Sequence, residues 1–112
     1  MNAIFPAITA NTSKIKVLLI GDNGVDQYQY GTVSRISPEA PVPVFVPEET
    51  MHKPGMADNV RVNLEALGCM VVYLCGETSV KTRLVDERSR QHVLRVDDDR
   101  ISEPLRFEDI PY

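Results

Sequence analysis

Three short stretches carry the residue types best suited to chemistry. Gly21-Asp22-Asn23-Gly24-Val25-Asp26 follows the apolar run Ile15-Lys16-Val17-Leu18-Leu19-Ile20. Two carboxylates past the carboxyl end of a strand lie where ligands of open α/β sheets bind, and they can accept hydrogen bonds from sugar hydroxyls. Asp22 and Asp26 equally suit turn-shaping or helix capping, and spacing alone favours that plainer role. Lys53-Pro54-Gly55-Met56-Ala57-Asp58-Asn59 opens a helix. Its first N–H groups could hold a polar ligand, or it is a plain helix start with Asp58 favouring the dipole. Lys81, Arg83 and Arg95 alternate along two strands. They suit an anion such as a sugar phosphate, although a solvated face with cross-strand acidic partners is the commoner outcome.

Other chemistries find little support. His52 and His92 have no evident partner, and no nucleophile elbow, P-loop or metal-binding cluster occurs, so neither catalytic nor metal-ligating residues are assigned. Cys69 and Cys75 flank Met70-Val71-Val72-Tyr73-Leu74. Extended chain holds them roughly 20 Å apart, too far for a disulfide, so free, buried thiols in a reducing cytoplasm are expected. A net charge of −4 from 12 Lys+Arg and 16 Asp+Glu gives no field to collect phosphate backbones, so nucleic acid is not an expected partner. No apolar stretch approaches the ~18 residues of a membrane helix, so no membrane partner is expected either. With 112 residues, one domain burying roughly 65% of its unfolded surface is expected, and association would help it.

The elements that must position these residues follow from hydropathy patterning. The run 15–20 reads as a strand buried on both faces. Residues 32–49 are interrupted by Pro38, Pro41, Pro43 and Pro47, which marks edge or lid strands rather than a sheet interior. Ala57, Val60, Leu64 and Leu67 lie on one face of a helix, closed by Gly68. Residues 70–74 form a second buried strand, parallel to the first across that helix. Residues 80–85 and 91–97 form an antiparallel hairpin with its charges on one face. Residues 1–14 read as a flexible or partner-bound arm, and 15–112 as a small α/β domain carrying a β-rich lid at about 31–53 and 80–97.

Several runs together resemble the N-terminal part of the ribokinase-like (PfkB) carbohydrate kinases, most closely the kinase half of the bacterial heptose kinase/ADP-heptose synthases. They are Val17-Leu18-Leu19-Ile20-Gly21-Asp22 continuing to Asp26-Gln27-Tyr28, the long run Gly31-Thr32-Val33-Ser34-Arg35-Ile36-Ser37-Pro38-Glu39-Ala40-Pro41-Val42-Pro43-Val44, and Pro54-Gly55-Met56-Ala57-Asp58-Asn59-Val60. Val80-Lys81-Thr82-Arg83 and Leu94-Arg95-Val96-Asp97 extend the match. The resemblance implies a Rossmann-like α/β sandwich, here truncated to few parallel strands and one main helix, with a β-lid that covers the sugar and often forms a dimer interface. It implies that Asp26, Gly55 and Asn59 bind sugar hydroxyls and that Lys81, Arg83 or Arg95 meets a phosphate. Arg35, Ile36, Val42, Val44 and Phe45 are the expected lid and dimer residues.

Departures from the pattern shape the functional expectation. Met56 stands where a second glycine belongs, intruding where backbone should approach the sugar. Asp58 and Arg61 replace small residues. The helix-and-strand unit expected before Thr78 is absent, and the family's catalytic base, anion hole and nucleotide pocket, which use ATP and Mg in intact relatives, have no counterpart here. The expectation is a non-catalytic module needing no cofactor by itself. It would form a homodimer through the lid or associate with an intact sugar kinase, with a sugar phosphate as its small-molecule ligand. The alternative is a heptose phosphate kinase fragment active only with a complementary C-terminal half.

Overall fold

The computed structural model describes residues 14–111, so the arm expected over residues 1–14 lies outside the described residues but for Lys14. Strand β1 (Lys16–Ile20) pairs in parallel with β4 (Met70–Leu74), Leu18 opposite Val72 and Ile20 opposite Leu74. Strands β2 (Asn23–Ile36), β3 (Pro43–Gly55), β5 (Thr78–Asp86) and β6 (His92–Asp98) form a second, four-stranded sheet in the order β3-β2-β5-β6. Helix α1 (Met56–Ala66) lies between β3 and β4 in sequence, and a 3₁₀ turn spans Phe107–Asp109. Among the described residues the arrangement is mixed α/β with one α-helix. Among the described residues no helix is long and apolar enough to cross a membrane.

The prolines sort the second sheet. Pro43, Pro47 and Pro54 all lie in β3, the edge strand, where a missing N–H costs no ladder bond. The inner strand β2 pairs with β5 in parallel from Asn23 opposite Thr78 to Gly31 opposite Asp86. Past that point β2 and β3 continue alone as a two-stranded arm, closed where the Ser37 N–H donates to the Val42 carbonyl at 2.8 Å. The β5–β6 hairpin is held by Asp86, whose carboxylate accepts from the Ser89 N–H (2.9 Å) and hydroxyl (2.6 Å) and from the Val33 N–H of β2 (3.3 Å).

Helix α1 ends as its sequence predicts. Gly68 takes φ 91°, its N–H donates to the Glu65 carbonyl, and the Cys69 N–H donates to that of Leu64, a Schellman motif. The expected apolar stripe is only partly covered: Ala57 and Leu64 are half-buried, whereas Val60 and Leu67 remain exposed.

Burial departs most from the sequence reading. Gly24, Gly31, Gly55, Ser79 and Val85 alone are buried among the described residues, so Val85 is the only buried apolar side chain larger than glycine. Strands β1 and β4 are not buried on both faces. The helix shields Val17, Leu19, Val71 and Tyr73 to half-burial, while Leu18, Ile20, Met70 and Val72 on the opposite face are 43–58% exposed. A hollow of about 440 Å³ on these strands is lined by Leu18, Met70 and Val72 with Pro111. The reason is geometric: a parallel pair with a helix on one side has no layer for its other side.

Candidate functional site

The loop expected at residues 21–26 is shorter than the spacing suggested. Only Gly21 and Asp22 precede β2, so Asp26 belongs to a strand. Period-two alternation puts Gly24, Asp26, Tyr28 and Tyr30 on one face. The register adds Gly55, Lys53 and Met51 from β3, Ser79, Lys81 and Arg83 from β5, and Asp97 and Arg95 from β6. The opposite face carries Val25, Gln27, Val80, Thr82, Leu84, Leu94 and Val96. Charge is thus concentrated on one side of the sheet, as the hairpin alternation predicts, with Asp98, opposite Val80, as the exception in β6.

At the centre of that face Arg83 donates from an Nη to Asp26 Oδ1 at 2.9 Å, with side chains 18% and 30% exposed. This bond holds the guanidinium above its ordinary range, against a smaller opposing effect of burial. Gly55 lies directly beneath the carboxylate: a Cβ there would stand 3.2 Å from Asp26 Cγ and Oδ2. The glycine therefore lets the carboxylate lie against backbone. The Tyr28 ring has the Lys53 ammonium 5.3 Å and the Arg83 guanidinium 5.2 Å from its centroid, both within cation–π range. Tyr30 stacks beside Tyr28 with centroids 6.3 Å apart.

The remaining expected binding residues spread outward from this cluster. Lys81 lies opposite Asp26 on one side and Asp97 on the other. Arg95 lies opposite Arg83 and pairs along its own strand with Asp97 at 2.8 Å. Asn59 is exposed in the first turn of α1. Met56 takes φ 51°, and its side chain fills the space that a Cβ on Gly24 would need, 2.7 Å from Cγ and Sδ. The Met56 side chain thus lies over Gly24, beside the Asp26 cluster.

Tyr28 and Lys53 were not singled out as ligand groups by the sequence reading. The alternation Gly24, Asp26, Tyr28, Tyr30 was the available signal, and it was hidden by reading residues 21–26 as a loop. Asn23 and Tyr73 were missed likewise. The Tyr73 hydroxyl donates to Asn23 Oδ1 (3.1 Å), and Asn23 Nδ2 donates to Thr78 Oγ1 (2.6 Å), tying the two sheets together. Burial first, then the neighbouring Cys75, pushes the Tyr73 phenol up to about 12, so it remains a donor at neutral pH.

Several smaller expectations change. Asp22 is exposed and serves the turn through its backbone, its carbonyl accepting from the Ala57 N–H at 3.1 Å. Asp58 pairs with Arg61 at 2.6 Å, and Arg61 also reaches Glu65. His52 does have a partner, Gln27 Oε1 at 2.8 Å. Cys69 and Cys75 are free thiols, but Cys75 is exposed and Cys69 only half-buried, because the strand they flank has one open face. In the arm, Arg35, Ile36 and Val42 are exposed and Val44 and Phe45 half-buried.

Comparison with known proteins decides the ancestry. The bifunctional protein HldE of Nitrobacter winogradskyi is 42% identical over 95 residues, 83% of this chain. The HldE of Bradyrhizobium diazoefficiens is 41% identical over 86% of the chain, and that of Stutzerimonas stutzeri 47% over 62%. This chain is homologous to a segment of HldE. The match bears out the resemblance carried by the Gly31 to Val44 run. It covers 18%, 21% and 15% of those three HldE proteins, so the chain spans about a fifth of their length. A solved carbohydrate kinase from Agrobacterium tumefaciens covers 75% of this chain and 35% of its own, at TM-score 0.47 and 13% identity, a likeness too distant to assign residues. No protein-family model matches the chain.

Proposed function

We propose that this chain is a non-catalytic binding module of carbohydrate-kinase descent, containing part of a ribokinase-like, Rossmann-type sandwich. It associates through its β-lid and binds a sugar phosphate on the charged lid face. The observation that carries this reading is the Asp26–Gly55–Arg83 cluster, with Lys53 over Tyr28 beside it. Asp26 supplies acceptors for hydroxyls, and Arg83 and Lys53 supply donors for an anion, which together match a phosphorylated polyol. Lys81 and Arg95 extend the positive side of the face, and Asn59 offers a hydroxyl partner from α1. Because Asp26 is already engaged by a guanidinium, it suits holding a hydroxyl better than removing its proton.

ATP and Mg²⁺ belong to the chemistry of intact relatives. Asp26 and Arg83 are read as holding the ligand rather than as transferring a phosphoryl group. The unpaired Cys69 and Cys75 fit a reducing, cytoplasmic setting.

Titration calorimetry with a heptose 7-phosphate tests the reading. Saturable binding is expected, weakened about tenfold or more in Asp26→Ala and in Asn59→Ala, which corresponds to about 1.4 kcal/mol. Equal heats from all three proteins, or none from any, overturn it.

The exposed face formed by Leu18, Ile20, Met70 and Val72 favours a second reading, a kinase portion completed by another chain, such as an intact sugar kinase or a complementary C-terminal half. ATP-dependent phosphorylation recovered on adding the remainder of HldE supports that version, and its absence at saturating partner rejects it.

A further inference from the structure

We infer that two copies of this chain join edge to edge along β6, extending the four-stranded sheet across a two-fold axis. The inference rests on the reading of a self-associating lid and names the surface that does it. The sheet has two edges, and they are unlike. On β3, Pro43, Pro47 and Pro54 remove N–H donors, which blunts that edge against pairing. On β6 there is no proline, and among the described residues the strand pairs only with β5. The chain then leaves rather than covering it: the Arg100 N–H donates to Ser79 Oγ (2.8 Å), and Ser102 Oγ accepts from the Glu77 N–H (2.9 Å), which carries the segment back toward the start of β5. An open strand edge presents a row of N–H and C=O groups that templates another strand.

The charges on β6 select a second copy as occupant. His92-Val93-Leu94-Arg95-Val96-Asp97-Asp98 is self-complementary when paired antiparallel about Val96. Arg95 then lies opposite Asp97 of the second copy, Asp97 opposite its Arg95, and Val96 opposite Val96. Shifting the axis to Arg95 would set like charges face to face, which is unfavourable. Within one chain Arg95 already lies opposite another cation, Arg83, and leans on Asp97 of its own strand. The second copy's carboxylate relieves that crowding. Val96, 50% exposed, meets its counterpart on the opposite face of the joined sheet, where Leu94 falls opposite Asp98 of the second copy. A two-fold axis perpendicular to the sheet leaves both Asp26–Arg83 clusters on the same side.

Sedimentation equilibrium of the whole chain tests this with Arg95→Asp, Asp97→Arg, the double exchange, and Ile36→Asp in the arm. The expected result is a dimer for the parent protein, dissociation constants raised about tenfold or more by each single exchange, and recovery to within about threefold in the double exchange. Recovery cannot come from loss of fold, because the double variant contains both substitutions. If the charge variants all dimerise like the parent while Ile36→Asp dissociates, lid association stands and the β6 edge is rejected. A double exchange as weak as either single one also rejects it, and a monomer throughout rejects both the edge and the lid.

Discussion

Met56 holds a left-handed backbone conformation, φ 51°, that favours glycine, and its side chain lies across Gly24 beside the Asp26 cluster. For an ordinary residue that conformation costs about 1–2 kcal/mol. Met56→Gly is therefore expected to raise the unfolding free energy by about 1 kcal/mol, read as a higher urea midpoint at unchanged slope. A lower midpoint would show that the thioether's packing over Gly24 outweighs the strain. The position was legible in the sequence as a departure from a glycine pair, because a missing glycine in a known motif is a local fact. The partnership of Arg83 with Asp26 was not legible, since it joins residues 57 apart through the parallel pairing of β2 and β5.

At the scale of elements, the helix with its Gly68 cap, the two short parallel strands and the β5–β6 hairpin follow from local pattern. The start of β2 does not. Gly21-Asp22-Asn23-Gly24 has turn composition, yet pairing with β3 on one side and β5 on the other extends the strand from Asn23 to Ile36. The hairpin turn carries a pH signature. The Ser89 hydroxyl, then its backbone N–H, hold the Asp86 carboxyl below its ordinary value of 3.8. A depressed carboxyl contributes stability that is complete above the unfolded value and lost as pH falls through the folded one. Ser89→Ala is accordingly expected to lower the thermal midpoint at pH 7, with the difference from the parent shrinking once the pH is below 3.8. A difference independent of pH would assign the effect to packing instead.

At the scale of the whole molecule, composition promised an ordinary core and the fold does not provide one. The expectation of buried strands rests on the two covering layers that α/β proteins supply, whereas here the smallest extent is 15 Å and, among the described residues, Val85 is the sole buried apolar side chain larger than glycine. Hydropathy reports which residues prefer burial, not whether a second layer is present to bury them. The charged face was recoverable from period-two spacing, but the open apolar face of β1 and β4 was not. In the proposed dimer the lid pairs with a second copy along β6, and part of the fold's stability comes from that pairing. A protein stabilised by its own dimer has a thermal midpoint that depends on concentration. Calorimetric scans over about a hundredfold range of protein concentration should give a midpoint that climbs steadily with concentration. A midpoint independent of concentration would contradict the account.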